Sequence, residues 1–132
     1  KMDPYEIWGN GQQERDFTYV EDIVDGTILC AEKISDMTPV NLGTGRRYKM
    51  IDVAKIIFKI LNWEPKNIKF DESKPTGAIS RSLDNARAKE LLGWEPKYDL
   101  EHGLQKTIEW YLKTHKIEGS INEQALLENN PD

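Results

Sequence analysis

Cysteine is almost absent from this chain. Cys30 is the only one in 132 residues, so no intrachain disulfide forms and a reducing, cytoplasmic setting is expected. The two histidines, His102 and His115, lie far apart and supply no zinc spacing. No apolar run approaches the roughly 18 residues of a membrane span, and no signal-peptide pattern opens the chain. Basic residues are the minority, 18 Lys and Arg against 23 Asp and Glu, for a formal net charge of -5. Nucleic acid and anionic membranes call for a basic stripe, so neither is expected as a partner. A small phosphorylated ligand needs only two or three well-placed cations and stays open. Ser73, Ser80 and Ser82 lie in no nucleophile elbow, which leaves a hydrolase triad without support. Redox machinery is missing too. Gly9-x-Gly11 and Gly43-x-Gly45 lack the third glycine and the strand-turn-helix setting of a dinucleotide fingerprint, and read as turns. The residues four positions after the tyrosines are Gly9, Ile23, Asp52, His102 and His115, so no tyrosine has a lysine placed to lower its pKa. No cofactor is expected to bind this chain itself.

What is present has the pattern of a small α/β unit. Glu6-Ile7-Trp8 and Ile68/Phe70 suit short strands, and Val40-Asn41-Leu42 a buried one. Helices are predicted over 21–34, with Val24, Ile28 and Ala31 as the apolar face, and over 50–61, with Val53, Ile57, Ile60 and Leu61, widened by Ala54 and Ile56. A short helix over 85–92 has Asp84 as its N-cap and Gly93 as its stop. A longer one over 100–113 is capped by Asp99 and carries Leu104, Thr107, Ile108, Tyr111 and Leu112. Residues 71–80 read as a loop, and Glu21, Asp22 and Asp25 as a solvated acidic cluster. Leu61-Asn62-Trp63-Glu64-Pro65-Lys66 echoes Leu92-Gly93-Trp94-Glu95-Pro96-Lys97. Each Trp is expected to pack over the end of its own helix, with Pro fixing the outgoing chain. Residues 1–118 form the structured portion, and 119–132 a weakly ordered tail or short helix near 121–128.

One ordered set of motifs says more. Trp8-Gly9-Asn10-Gly11, Arg15-Asp16-Phe17-Thr18-Tyr19-Val20, Val40-Asn41-Leu42-Gly43-Thr44-Gly45, Arg81-Ser82-Leu83-Asp84, Leu91-Leu92-Gly93-Trp94-Glu95-Pro96 and Gly103 to Tyr111 follow one another between about residues 5 and 113. Together they resemble the C-terminal part of NAD-dependent nucleotide-sugar epimerases, dehydratases and reductases, the extended short-chain dehydrogenase group. Phe70-Asp71-Glu72-Ser73-Lys74-Pro75-Thr76-Gly77 is most similar to the branch that makes GDP-fucose.

The resemblance implies a fold class: a mainly helical, substrate-binding α/β portion with a few short strands, lacking the N-terminal Rossmann core. It implies NAD or NADP for a full-length parent, and an inactive fragment when this portion stands alone. It places Arg15 on the diphosphate of a nucleotide-diphosphate sugar, Arg81 as a second basic contact, Trp8 near the sugar or nucleotide, and Asn41 at a strand end beside the ligand. The alternatives are structural: Arg15 paired with Asp16, Glu14 or Asp22, Arg87 rivalling Arg81, Trp8 packed beside its turn, and Asn41 satisfying its own backbone. The GDP-fucose branch tends to have paired basic residues in the loop before Leu83, where this chain has only Arg81. Expected partners are a nucleotide-diphosphate sugar and either a second copy of the chain or a separate Rossmann chain. The rival function is a stand-alone or partner-dependent binding and assembly protein without catalysis.

Overall fold

The computed structural model describes residues 3–117. The expected tail 119–132, with its helix near 121–128, lies outside the described residues. Strand β1, Tyr5–Trp8, turns Ile7 inward and lies parallel to β4, Ile68–Asp71, with Tyr5 opposite Ile68 and Trp8 opposite Asp71. A parallel pair needs a long crossover, and here it contains most of the other elements. Among them are β2 (Glu14–Arg15), α1 (Val20–Lys33), β3 (Tyr48–Lys49) and α2 (Met50–Ile60).

The first core lies where α2 covers β1. Ile7, Ala54 and Phe58 are buried, and Tyr5, Ile51, Trp63 and Ile68 close around them. Phe58 is its centre, edge-on to Tyr5 at 4.9 Å and to Trp63 at 5.4 Å. The predicted α2 face is corrected accordingly. Val53, Ile60 and the flanking Ala54 are buried as expected, but Phe58 holds the middle while Ile57 and Leu61 are only half-buried. Lys49 gives no side-chain cap, as its chemistry foretells.

A second core joins α1 to a short π-wound turn, Ala88–Leu92, and to Trp94. Both tryptophans of the echoed sequence sit against their own helix ends, as expected: Trp63 on Phe58 and Trp94 beside Ala88 and Leu92. The predicted face of α1 is overturned. Val24 and Ile28 are about half exposed, at 49% and 52%, and Val20 at 62%. The inward face is Asp22 and Gly26, with Leu29 and Cys30 half-buried. Two features turn the helix this way. A Cβ on Gly26 would stand 2.8 Å from Leu42 and 3.0 Å from the Trp94 indole nitrogen, so only glycine allows this approach. The other is Asp22, which is 1% exposed rather than part of a solvated acidic cluster. Its carboxylate accepts from the Lys97 and Tyr98 backbone N–H groups at 3.0 and 3.1 Å, and its carbonyl from Trp94 Nε1 at 3.0 Å.

The expected strand at Val40-Asn41-Leu42 does not form. Extended backbone becomes a strand only beside another strand, and no described residue pairs with this segment. Helix α3, Leu100–Thr114, ends the described chain. Asp99 caps it as predicted, accepting from the His102 backbone N–H at 2.9 Å. Partial burial raises the Asp99 carboxyl pKa, but the hydrogen bonds and charge of His102 outweigh it and hold the value below normal. The cap therefore contributes stability above the unfolded carboxyl pKa and loses it as pH falls through the lower folded one. Asp99→Ala is expected to cost about 1 kcal/mol at neutral pH and nothing once both states are protonated. Thermal melts at pH 7 and below pH 3 check this. Tyr19, Tyr98, Lys106 and Glu21 pin α3 to the start of α1: Tyr98 donates to Glu21 at 2.9 Å, and Lys106 Nζ lies 5.3 Å from the Tyr98 ring. No described helix is long and apolar enough to cross a membrane.

Candidate functional site

Two of the predicted site residues, Arg15 and Arg81, meet at β2. It pairs antiparallel with β3, Glu14 opposite Lys49 and Arg15 opposite Tyr48. On its other side it meets the 79–81 segment in parallel, bridging at Glu14 and Ser80. Glu14 N donates to the Ile79 carbonyl at 2.8 Å, and Arg81 N to the Glu14 carbonyl at 3.1 Å. Alternation along strands then sorts the side chains. Glu14, Lys49 and Ser80 share one face, where Ser80 Oγ donates to Glu14 at 2.8 Å. Arg15, Tyr48 and Arg81 share the other, so the two predicted arginines occupy neighbouring register positions.

Arg15 is half-buried and pairs with no carboxylate among the described residues. Its guanidinium donates to three backbone carbonyls, Glu14 at 2.7 Å, Ala78 at 2.8 Å and Thr76 at 2.6 Å. It straps down the 76–78 loop, and neutral carbonyls leave its charge uncompensated. Arg81 is exposed, and its side chain makes no hydrogen bond or ion pair among the described residues. Its sequence rival Arg87 donates to the Pro39 carbonyl at 3.1 Å. Trp8 is 53% exposed, with Lys74 Nζ 5.9 Å from its ring. Asn41 is exposed, and its amide reaches the Asp84 carbonyl at 3.3 Å.

Asp16 organises the end of β2 and has no site role in the sequence reading. One carboxylate oxygen accepts from Thr44 N at 3.1 Å and Thr44 Oγ1 at 2.5 Å; the other accepts from Gly45 N at 2.9 Å and Leu83 N at 3.2 Å. A Cβ on Gly43 would stand 2.7 Å from Leu83, so glycine is needed where this turn meets the segment behind Arg81. The signal was present, since a carboxylate next to Arg15 and a Gly-Thr-Gly turn rich in free N–H groups are natural partners. Which acid the turn would choose required the fold. Arg47, also unremarked in sequence, donates from Nε to Ser82 Oγ at 3.2 Å.

A cleft of about 280 Å3 opens beside Arg15, between Gly9–Gln13 and the loop carrying Lys74, Thr76 and Ile79. A larger one, about 390 Å3, sits at the far end of α2 by Lys55 and Trp63 and contains none of the predicted site residues. No cluster of described residues is arranged to hold a metal ion.

A sequence model of the GDP-mannose 4,6 dehydratase family matches residues 1–107. The chain belongs to that family. It is 32% identical over 107 residues to GDP-L-fucose synthase 1 of Arabidopsis thaliana, covering 81% of this chain and 32% of the relative. Its fold matches the UDP-glucose 4-epimerase of Thermotoga maritima, solved with UDP-glucose, at TM-score 0.72 and 38% identity, covering 83% of this chain and 35% of that one. It matches dTDP-glucose 4,6-dehydratase of Bacillus anthracis, solved with NAD, at TM-score 0.77 and 25% identity, covering 85% and 35%. These are a synthase, an epimerase and a dehydratase of sugar nucleotides, the group that the extended short-chain dehydrogenase motifs imply. The chain spans about a third of the length of the relatives it matches.

Neither glycine turn of the described residues has the setting of a dinucleotide phosphate site. A dinucleotide phosphate rests on a glycine turn that opens a helix. Here the Gly9–Gly11 turn leads into β2 and the Gly43–Gly45 turn into β3.

Proposed function

We propose that this chain is the C-terminal, nucleotide-sugar-binding portion of an NAD(P)-dependent sugar-nucleotide epimerase, dehydratase or reductase. In this reading it clamps the substrate diphosphate while a Rossmann portion carries out hydride transfer. One observation carries the reading: Arg15 and Arg81 lie at adjacent register positions on one face, and no carboxylate among the described residues neutralises either guanidinium. Guanidinium forks match phosphate oxygens in geometry and bind them through charge-assisted hydrogen bonds. Trp8 exposes about half its surface next to Lys74, and Asn41 holds the backbone behind Arg81 through Asp84.

Calorimetric titration of the chain with GDP-, UDP- and dTDP-sugars tests the clamp. Saturable binding to at least one is expected, weakened about tenfold by Arg81→Ala, the loss of one charge-assisted contact. Binding that is indifferent to Arg81 argues against it.

A second reading, an assembly protein that works with a separate chain or a second copy of itself, is favoured by a different observation. Val20, Val24 and Ile28 form an exposed apolar stripe along α1, a surface that a soluble helix ordinarily buries. Light scattering is expected to show self-association of the isolated chain, or a denaturation midpoint typical of a marginal fold, with Val24→Lys plus Ile28→Lys shifting the protein toward monomer. A compact, stable monomer contradicts this reading and leaves the clamp untouched.

A further inference from the structure

Asn10 is the one asparagine among the described residues that is followed by glycine. Three features of the turn after β1 make the pair reactive. Asn10 is exposed, so water and base reach it. The Gly11 N–H makes no hydrogen bond among the described residues, and with no side chain on Gly11 its nitrogen is unshielded. The Asn10 side-chain carbonyl accepts from Gln12 N at 3.0 Å. That bond polarises the amide carbon Cγ and holds a donor where negative charge develops on Oδ1 as a nucleophile adds.

The other described asparagines lack this combination. Trp63 N, after Asn62, donates to the Phe58 carbonyl at 3.0 Å, and Ala86 N, after Asn85, donates to Asp84 Oδ1 at 2.9 Å, so both nitrogens are engaged. Asn41 and Asn67 are followed by the branched residues Leu42 and Ile68, whose side chains crowd the approach. The fold also holds the reactive pair in place. Gly11 sits at φ 73°, and a Cβ there would stand 2.9 Å from the Phe70 ring, so the position needs glycine.

We propose that Asn10 is a self-modification site, at which the Gly11 backbone nitrogen converts the side-chain amide to a carboxylate. Gly11 N gives its proton to solvent base and adds to Asn10 Cγ. The Cγ–Nδ2 bond breaks as the new C–N bond is completed, and the leaving nitrogen takes a proton and departs as ammonia. Water then opens the five-membered imide at either carbonyl. One product is aspartate in the original main chain; the other is isoaspartate, with the main chain rerouted through Cβ and Cγ. Nothing is oxidised or reduced. Both products place a carboxylate among the residues lining the cleft beside Arg15, which Lys74 and Thr76 also line. On the diphosphate-clamp reading that charge opposes the ligand; the chemistry itself does not rest on that reading.

Holding the 132-residue chain at pH 7 and at pH 9, then mapping its tryptic peptides by mass spectrometry, tests this. Peptide 2–15 contains no other asparagine. It is expected to take on the mass of the acid at Asn10 about tenfold or more faster than the peptides holding Asn41, Asn62, Asn67 and Asn85. The rate is expected to be higher at pH 9, because the attacking nitrogen must lose its proton. Asn10→Gln, which would have to close a larger ring, is expected to stay unconverted. The native chain is expected to convert at least as fast as the chain unfolded in urea. Conversion at Asn10 no faster than at the other asparagines, or faster in urea than in the native chain, overturns the proposal. Asn10→Asp is expected to bind GDP-, UDP- or dTDP-sugars about threefold more weakly than the unmodified chain, the size of one exposed charge interaction. Unchanged affinity overturns the link to the clamp and leaves the modification standing.

Discussion

Asp22→Ala is expected to destabilise the fold by about 3–6 kcal/mol, two charge-assisted hydrogen bonds at about 1.5–3 kcal/mol each. The carboxylate is almost fully enclosed and accepts from two consecutive backbone N–H groups, Lys97 and Tyr98. Alanine leaves both part-buried donors without partners, and the linker that carries the chain from Trp94 into α3 loses its anchor. Asp22→Asn keeps the shape and one acceptor, and its expected cost is about half as large. Urea denaturation followed by tryptophan fluorescence measures both, because Trp94 is buried against the same residue. A loss below about 1 kcal/mol for alanine, the typical value for a surface substitution or less, would show that Asp22 does not hold the α1–α3 junction.

Arg15→Ala is expected to lower affinity for a nucleotide sugar about 100-fold, more than Arg81→Ala does. The larger effect follows from its two jobs. Its guanidinium is the half-buried member of the pair, where electrostatic contacts are less screened, and it also straps the 76–78 loop through Thr76 and Ala78. Arg15→Lys keeps the charge but not the planar fork, so it is expected to recover only a small part of the affinity. Calorimetry of the three proteins against the same ligand separates charge from geometry. Full rescue by lysine would mean that the site needs a point charge only.

The sequence carried most of the element boundaries because local chemistry sets them. Asp99 caps α3 by a bond within one turn, Gly93 ends the π-wound turn at φ 67°, and Ile7 follows the alternation of β1. It failed where long-range packing chooses among faces. Val24 and Ile28 recur at helical spacing, yet Gly26 and Asp22 face the core because Leu42, Trp94 and the Lys97-Tyr98 backbone fit only there. Val40-Asn41-Leu42 has strand composition, but a strand also needs a neighbour, and none of the described residues is one. The site divides in the same way. Arg15, Arg81, Trp8 and Asn41 were nominated by motifs shared with the family. The partners that position them were not, because Asp16 meets Thr44 and Leu83 across 28 and 67 residues of chain. Gln13 and Trp8, only five residues apart, meet through a turn whose geometry no motif encodes.

The most direct measurement is NMR of the arginine Nε–Hε resonances during titration of the chain with nucleoside diphosphates. Arg15→Lys and Arg81→Lys spectra assign the two signals. The diphosphate-clamp account predicts that both move together and saturate with the ligand, while Arg87, bonded to the Pro39 carbonyl, stays still. Saturable binding that leaves the Arg15 and Arg81 signals unmoved would contradict it and place the diphosphate elsewhere on the chain.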